Sequence, residues 1–152
     1  PEFDQDVFAT EMMIYFKLNG FTFRGIIDRL DYDSDGNWTI HDYKTGKTLL
    51  SQPAVNKDGQ LALYQMAIAQ ESTIKNIKSV ELKWHFLQQG VERSVIHDKN
   101  SLDNIKENLK QMVHNIEKAE VFEPKESMLC NWCHYWEQCS IKTGSNPVKK
   151  AL

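Results

Sequence analysis

The sequence predicts an α/β protein in which one central sheet is flanked by helices, and three observations support this class. An Asn19-Gly20 pair separates two runs rich in β-branched and aromatic residues, which is a strong hairpin signal. A run of good helix formers, "GQLALYQMAIAQ", follows at Gly59. From Ser101 to about Ala119, apolar residues recur at helical spacing. Groups of strands are therefore interrupted and followed by helices.

The individual elements are predicted from local patterns in chain order. "EMMIYFKLNGFTFRGIIDRLDYD" gives the first hairpin, and "NWTIHDYKT" gives a third strand. A second hairpin is expected in "KSVELKWHFLQQGVERSVIHD", which turns at Gln89-Gly90. Ser101 is the predicted N-cap of the last helix. In the second hairpin, the apolar residues that alternate with polar neighbours are Val80, Leu82, Trp84 and Phe86. In the last helix, the apolar residues that form one stripe are Leu102, Ile105, Leu109, Met112 and Ile116.

Length and composition predict a single domain over residues 1–152 with a core of its own. The chain has 152 residues, of which 41% are hydrophobic and 11% aromatic. No apolar run approaches the roughly 18 residues of a membrane span, and "PEFDQDVF" does not resemble a signal peptide, so we expect a cytoplasmic protein with no membrane partner. The net charge of -3 argues against a wholly basic nucleic-acid coat but allows a local basic groove. Because the chain starts at Pro1, we also expect that an N-terminal segment is missing.

Three cysteines lie close together near the C-terminus, in the segment 128–140. Cys130, Cys133 and Cys139 are odd in number and too tightly spaced for a secreted disulfide framework, which favours metal binding. Zinc bound with the help of His134 is one alternative, and reduced cysteines without a metal are another.

The stretch "DYDSDGNWTIHDYKTGK" allows two interpretations. Its acidic residues nearly match the calcium loop of an EF-hand, with Asp31 at the first position and Asp42 at the twelfth. However, the flanking residues favour strands rather than helices, and the twelfth position is usually Glu. A calcium-binding interaction domain using Asp31 to Asp42 is therefore the less favoured hypothesis.

The second interpretation is a β-turn that brings two carboxylates together. If Ser34-Asp35-Gly36 forms a three-residue loop, Asp28 lies directly opposite Asp42, with Cβ atoms roughly 5 Å apart. Lys44 then shares the strand face of Asp42. Two adjacent carboxylates suit Mg²⁺ or Mn²⁺, and a nearby ammonium can orient a water and stabilise negative charge.

These residues resemble the PD-(D/E)xK nuclease superfamily, in particular its RecB-like branch. "GIIDRLD" is similar to the motif that carries a metal-binding aspartate, here Asp28, and "IHDYKTGK" is similar to the (D/E)xK motif, here Asp42 and Lys44. "QLALYQMA" is similar to the QxxxY helix, in which Gln60 and Tyr64 are expected to contact DNA. The resemblance implies a restriction-endonuclease-like core with a central mixed sheet. It also implies metal-dependent DNA hydrolysis, with a further metal ligand from the Tyr43 carbonyl.

The tail "CNWCHYWEQC" resembles the end of iron-sulfur nucleases related to AddB and to CRISPR-associated RecB-like exonucleases. In those families three such cysteines and a fourth, N-terminal cysteine hold a [4Fe-4S] cluster, so Cys130, Cys133 and Cys139 are the expected ligands in a full-length protein. The fourth cysteine is absent from this sequence, as is the upstream histidine often found at the metal site. Expected partners are DNA and the helicase or other subunits of a nuclease complex, associated with the nucleoid. A non-catalytic DNA-binding module of the same fold is the main alternative.

Overall fold

The computed structural model describes residues 6–141, which contain a five-stranded mixed sheet with helices. The strands lie side by side in chain order, and only the third and fourth are parallel. The strands are β1 (Asp6–Leu18), β2 (Phe21–Tyr32), β3 (Asn37–Lys44), β4 (Ser79–Phe86) and β5 (Val91–Ile96). The helices are α1 (Gln52–Val55), α2 (Gly59–Ile68) and α3 (Lys99–Glu117). No helix within residues 6–141 has the length and apolar character needed to cross a bilayer.

Both predicted hairpins are present, at the predicted turns. Asn19 and Gly20 have φ values of 50° and 84°, and two successive left-handed residues are what a tight hairpin turn requires. Gly90 has a φ of 60°, and the Gln89 N–H donates to the Phe86 carbonyl at 3.2 Å. The crossover from β3 to β4 contains α1 and α2, as a parallel strand pair requires.

The core lies around β3 and β4. Every second residue of β4 is buried, and Leu82 and Trp84 are fully enclosed. Alternate burial with period two is the pattern that the sequence of this strand predicts. Helix α2 is buried along most of its length, and β1 and β2 add Ile14, Phe16, Ile27 and Leu30. A packed core of this kind fixes β3, which carries the candidate site.

The last helix begins earlier than predicted, and Ser101 is not its cap. Asp98 precedes α3, and its Oδ1 accepts a hydrogen bond from the Ser101 N–H at 2.7 Å. The Ser101 hydroxyl is instead 2.8 Å from Nδ1 of His97. The cap prediction was wrong because the helix already begins at Lys99, where Asp98 accepts from the N–H of the first turn, so that Ser101 lies inside the helix.

The chain divides into two compact units, Pro1–Val113 and His114–Leu152. The first contains the sheet. In the second, the described part after α3 has no long helix or strand and contains two short 3₁₀ turns, Met128–Trp132 and Trp136–Gln138. Ser127 caps the first of these turns by accepting a hydrogen bond from the Leu129 N–H at 3.2 Å.

Candidate active site

The β2–β3 turn has the predicted three-residue loop, Ser34-Asp35-Gly36. Gly36 has a φ of 88°, a conformation that glycine adopts without strain. Asp33 Oδ1 accepts hydrogen bonds from the N–H groups of Asp35 and Asn37, both at 2.9 Å, and its Oδ2 accepts from Asn37 Nδ2 at 2.8 Å. The Asp33 carboxylate is therefore used to close the turn.

The EF-hand hypothesis fails on this geometry. The loop joins two strands instead of two helices. The Asp31 carboxylate is bound by Arg29, with Nε 2.8 Å from Oδ1 and a terminal guanidinium nitrogen 2.8 Å from Oδ2. Nε2 of His41 also lies 3.2 Å from Asp31 Oδ2. No three acidic, histidine or cysteine side chains among residues 6–141 are grouped closely enough to hold a metal ion.

Strands β2 and β3 pair in the predicted register and then separate beside the candidate site. The four pairs run from Tyr32–Trp38 to Arg29–His41. The next pair would be Asp28–Asp42, but the ladder ends one step before it. The predicted pairing of Asp28 with Asp42 is therefore not formed. We call the point where β2 and β3 separate, at Asp28 on one strand and Asp42 and Tyr43 on the other, the fork.

The fork coincides with an irregularity in β2. Fully buried Ile27 and Leu30 are three residues apart, so the alternation of buried side chains shifts by one between them. Glu11, which lies between the β1 residues paired with Ile27 and Arg29, has a φ of 48°. At this point the Asp28 side chain reaches across to β3, where its Oδ2 accepts a hydrogen bond from the Tyr43 N–H at 2.9 Å.

Asp42 is a buried carboxylate paired with a lysine. It is only 6% exposed, and Lys44 Nζ lies 2.8 Å from its Oδ2. That contact is a charge-assisted ion pair, so Lys44 compensates this oxygen. Burial raises the pKa of Asp42 from its usual 3.8, Lys44 opposes this, and the negative charges of Asp28 and Asp58 raise it further. Asp28 and Asp42 are therefore close enough for their charges to interact.

Helix α2 places two further predicted residues together. Asp58 caps the helix by accepting a hydrogen bond from the Gln60 N–H at 2.8 Å. Gln60 Nε2 donates to the Tyr64 hydroxyl at 3.4 Å, as expected for side chains four residues apart on one helical face. The Tyr64 ring packs directly against Gly25 of β2, where a Cβ atom would overlap ring carbon Cε1.

The donor set of the fork suits a hard divalent cation. The carboxylate oxygens of Asp28 and Asp42 and the Tyr43 carbonyl are oxygen donors of the kind that Mg²⁺ and Mn²⁺ prefer. The environment of Asp42 suits such an ion, because burial and the neighbouring charge of Asp28 both disfavour the ionised carboxylate and a cation would offset both. Only two side chains contribute, which matches the habit of Mg²⁺ of retaining several waters.

The three cysteines are not gathered into a metal site within the described tail. Each is half-buried, and Cys130 Sγ accepts a hydrogen bond from the Ser127 N–H at 3.4 Å. No group of three potential metal-binding side chains occurs among residues 6–141, so Cys130, Cys133 and Cys139 do not form one there. These residues alone do not fit a closed cluster site.

Comparison with known proteins identifies the family. The sequence profile of the PD-(D/E)XK nuclease superfamily matches residues 2–140, and the chain belongs to this superfamily. No curated protein sequence matches it. The sheet with its flanking helices is the restriction-endonuclease-like α/β core that the sequence predicted.

Solved structures also resemble the chain, and two of them are as follows. A protein from Eubacterium rectale, provisionally described as an exonuclease, is 14% identical with a TM-score of 0.50, over 94% of this chain and 56% of that one. The structure of SSO0001 is 15% identical with a TM-score of 0.47, over 94% of this chain and 64% of that one. The present chain therefore spans less than two thirds of the length of either structure.

Several residues at the site were not predicted from the sequence. Asp58 is not among the predicted site residues, although an Asp before a glycine and a helical run is an ordinary capping signal. Gly25 has no role that the sequence alone predicts, and only the position of Tyr64 reveals one. Gln89 is predicted only as a turn residue, whereas its side chain and that of Gln88 donate hydrogen bonds to the segment that follows Lys44.

Proposed function

We propose that this chain is a metal-dependent deoxyribonuclease of the RecB-like branch that acts as an exonuclease. The observation that carries the proposal is the buried carboxylate of Asp42, with Lys44 at 2.8 Å and the charge of Asp28 nearby. A buried carboxylate with a raised pKa beside a lysine is typical of a catalytic centre. Superfamily membership supports the same chemistry.

Each residue of the fork has a proposed role in hydrolysis. Asp28 and Asp42 would hold Mg²⁺ or Mn²⁺ together with the Tyr43 carbonyl, and the bound ion would polarise the phosphodiester and offset developing negative charge. Lys44 orients the attacking water and donates to the phosphate oxygens as their charge increases. Because Asp42 balances the Lys44 charge at 2.8 Å, the ammonium is held in place before substrate arrives.

Gln60 and Tyr64 are proposed to contact the DNA. Their mutual hydrogen bond and the contact of Tyr64 with Gly25 fix both side chains against β2, the strand that carries Asp28. The helix cap Asp58 adds negative charge near Asp42, which further favours a bound cation.

The wider setting follows from the resemblance of the motifs. We propose a role in DNA repair, recombination or CRISPR-type DNA processing, with DNA as substrate and a helicase or other nuclease subunits as partners, in the nucleoid. A [4Fe-4S] cluster on Cys130, Cys133 and Cys139 is proposed for a longer protein that supplies the fourth ligand. Its function would be structural, joining segments of the tail.

Cleavage of end-labelled single- and double-stranded DNA tests the function. We expect hydrolysis with Mg²⁺ or Mn²⁺, none with EDTA, and a loss of about 100-fold or more in Asp42→Asn and Lys44→Ala. Asp35→Asn is the matched control, because Asp35 is an exposed acidic residue of the β2–β3 turn. Unchanged cleavage in both site variants would refute the assignment. Absence of cleavage with every metal would instead favour the non-catalytic DNA-binding module.

A further inference from the structure

The side chain of Tyr43 lies on the face of β3 opposite to Asp42, because successive residues of a strand point to opposite faces. There it packs beside two histidines. The ring centroids of Tyr43 and His85 are 4.8 Å apart with an interplanar angle of 23°, within the range of offset-stacked rings, and the His41 ring is 6.4 Å away. Tyr43 and His85 are also direct partners in the pairing of β3 with β4. The His85 ring therefore lies directly behind the strand that carries Asp42.

Contacts at both nitrogens fix the His85 ring. Its Nε2 lies 2.8 Å from Nδ1 of His41, and its Nδ1 lies 2.8 Å from Oε1 of Glu92. Nε2 of His41 lies in turn 3.2 Å from Oδ2 of Asp31. These side chains form a polar chain across β2, β3, β4 and β5. An imidazole held at both nitrogens cannot rotate without losing a contact, so the neighbours of His85 set the orientation of its ring.

The backbone of Tyr43 faces the fork. Its N–H donates to Asp28 Oδ2 at 2.9 Å. In a strand the N–H and C=O of one residue point to the same side, and successive residues alternate. The Lys44 carbonyl accepts from the Leu87 N–H at 3.1 Å on the β4 side, so the Tyr43 carbonyl points the other way, into the fork. One residue thus orients the Asp28 carboxylate and presents a carbonyl oxygen beside it.

The ring of Tyr43 supports this backbone where the sheet does not. The β2–β3 ladder ends at His41, so residues 42–44 pair with β4 alone in the described sheet. The Tyr43 side chain is 39% exposed, so most of its surface is covered, in part by the stack on His85. A residue that orients metal ligands from behind typically changes metal affinity by about 10- to 100-fold.

We propose that His85 is a positioning residue for the divalent cation, which stacks on Tyr43 and thereby holds the Tyr43 backbone at the fork. His41 and Glu92 fix the His85 ring for this role. The inference rests on the proposed nuclease function and deepens it, because it assigns what keeps the Asp28 carboxylate and the Tyr43 carbonyl aligned before the cation binds. The ion is a hard divalent cation, Mg²⁺ or Mn²⁺.

Binding of Mn²⁺ alone, without DNA, tests this inference apart from cleavage, and the electron paramagnetic resonance signal of free Mn²⁺ measures it. We expect His85→Leu to weaken Mn²⁺ binding about tenfold, because leucine fills the space but cannot stack or bond to its neighbours. His85→Phe keeps the stack and should recover most of the affinity. The Mn²⁺ concentration that gives half-maximal cleavage should increase in His85→Leu by the same factor.

A second variant tests the polar chain with little risk to folding. The Glu92 side chain is 62% exposed, and Glu92→Ala releases Nδ1 of His85, so Mn²⁺ binding should weaken by about threefold. Glu81→Ala is the matched control, because it removes a carboxylate from the same face of the sheet, where it pairs with Lys83 at 3.5 Å. Its Mn²⁺ affinity should equal that of the parent.

Thermal unfolding of each variant establishes that it is folded, and if His85→Leu is not, the comparison of Glu92→Ala with Glu81→Ala decides. Unchanged Mn²⁺ affinity in His85→Leu and Glu92→Ala would overturn the inference, and cleavage by the parent would leave the proposed function standing. Weakening in His85→Leu that His85→Phe does not relieve would also overturn it. A parent that binds Mn²⁺ without cleaving DNA would refute the function but not the positioning role, and a parent that binds no Mn²⁺ would refute both.

Discussion

At the scale of single residues, Asp42 shows how the site opposes the stability of the fold. Burial is the main reason that its pKa is raised above 3.8, and the charges of Asp28 and Asp58 act in the same direction, against Lys44. A carboxyl whose pKa is higher in the folded chain binds its proton more tightly there than in the unfolded chain. The free energy of unfolding therefore decreases as the pH rises from below 3.8 through the folded pKa. At neutral pH the ionised Asp42 lowers stability.

Asp42→Asn should consequently separate activity from stability. The amide keeps the size of the side chain but removes the buried charge, so the midpoint of thermal unfolding at pH 7 should be equal to or higher than that of the parent. Cleavage should be lost in the same preparation. Differential scanning fluorimetry measures the midpoint, and a fall of several degrees would show that the charge stabilises the fold.

At the scale of elements, the contact between α2 and β2 depends on Gly25, which has no side chain beyond a hydrogen atom. A methyl group at Gly25 would overlap the Tyr64 ring, which is held on the other side by its helix. Gly25→Ala should therefore destabilise the fold by about 1–3 kcal/mol. Tyr64→Ala in the same chain should remove the overlap, so that the second substitution costs less in Gly25→Ala than in the parent. Urea unfolding of the four chains measures this coupling, and simple additivity would show that the ring moves aside freely.

Local signals also explain which elements were predictable. The Asn19-Gly20 turn, the loop Ser34–Gly36 and the register of β2 with β3 follow from residue types within a few positions, and the structure confirms them. The fork at Asp28 does not, because the end of the β2–β3 ladder is a property of two paired strands and has no signal in the residue types around Asp28. The hydrogen bonds from Gln88 and Gln89 to the segment after Lys44 also have no local signal, since they require β3 and β4 to be parallel neighbours.

At the scale of the whole molecule, buried histidines predict a loss of stability in mild acid. Burial lowers the pKa of His97 below 6.5, against the opposing charges of Asp98 and Asp58, and burial lowers that of His41 as well. The unfolded chain then binds protons more readily than the folded chain. The contribution of these histidines to the free energy of unfolding should be complete above pH 6.5. It should decrease as the pH falls from there towards the lower pKa values of the folded chain.

His97→Asn should reduce this acid sensitivity. Asparagine keeps a polar atom near the Ser101 hydroxyl but cannot take up a proton, so the variant should lose less stability than the parent between pH 7.5 and 5.5. Chemical unfolding at both pH values gives the comparison. An identical decrease in the two chains would show that His97 has the same pKa when folded and unfolded.

The tail makes a separate prediction about iron. Three thiolates do not complete a [4Fe-4S] site, and the described tail does not gather them, so this chain should contain little iron or sulfide after purification. A longer form that carries a fourth cysteine should be brown and sensitive to air. Stoichiometric iron in the present chain would reveal a fourth ligand, whereas zinc in the longer form would show that the iron-sulfur assignment is wrong.

We place the catalytic cation at the fork between β2 and β3, and the anomalous signal of Mn²⁺ in a crystal is the most direct test of this position. We expect one peak between the carboxylates of Asp28 and Asp42, beside the Tyr43 carbonyl, and its loss in Asp42→Asn. A manganese peak at Asp31, Asp33 and Asp35 instead would show that the cation site is elsewhere.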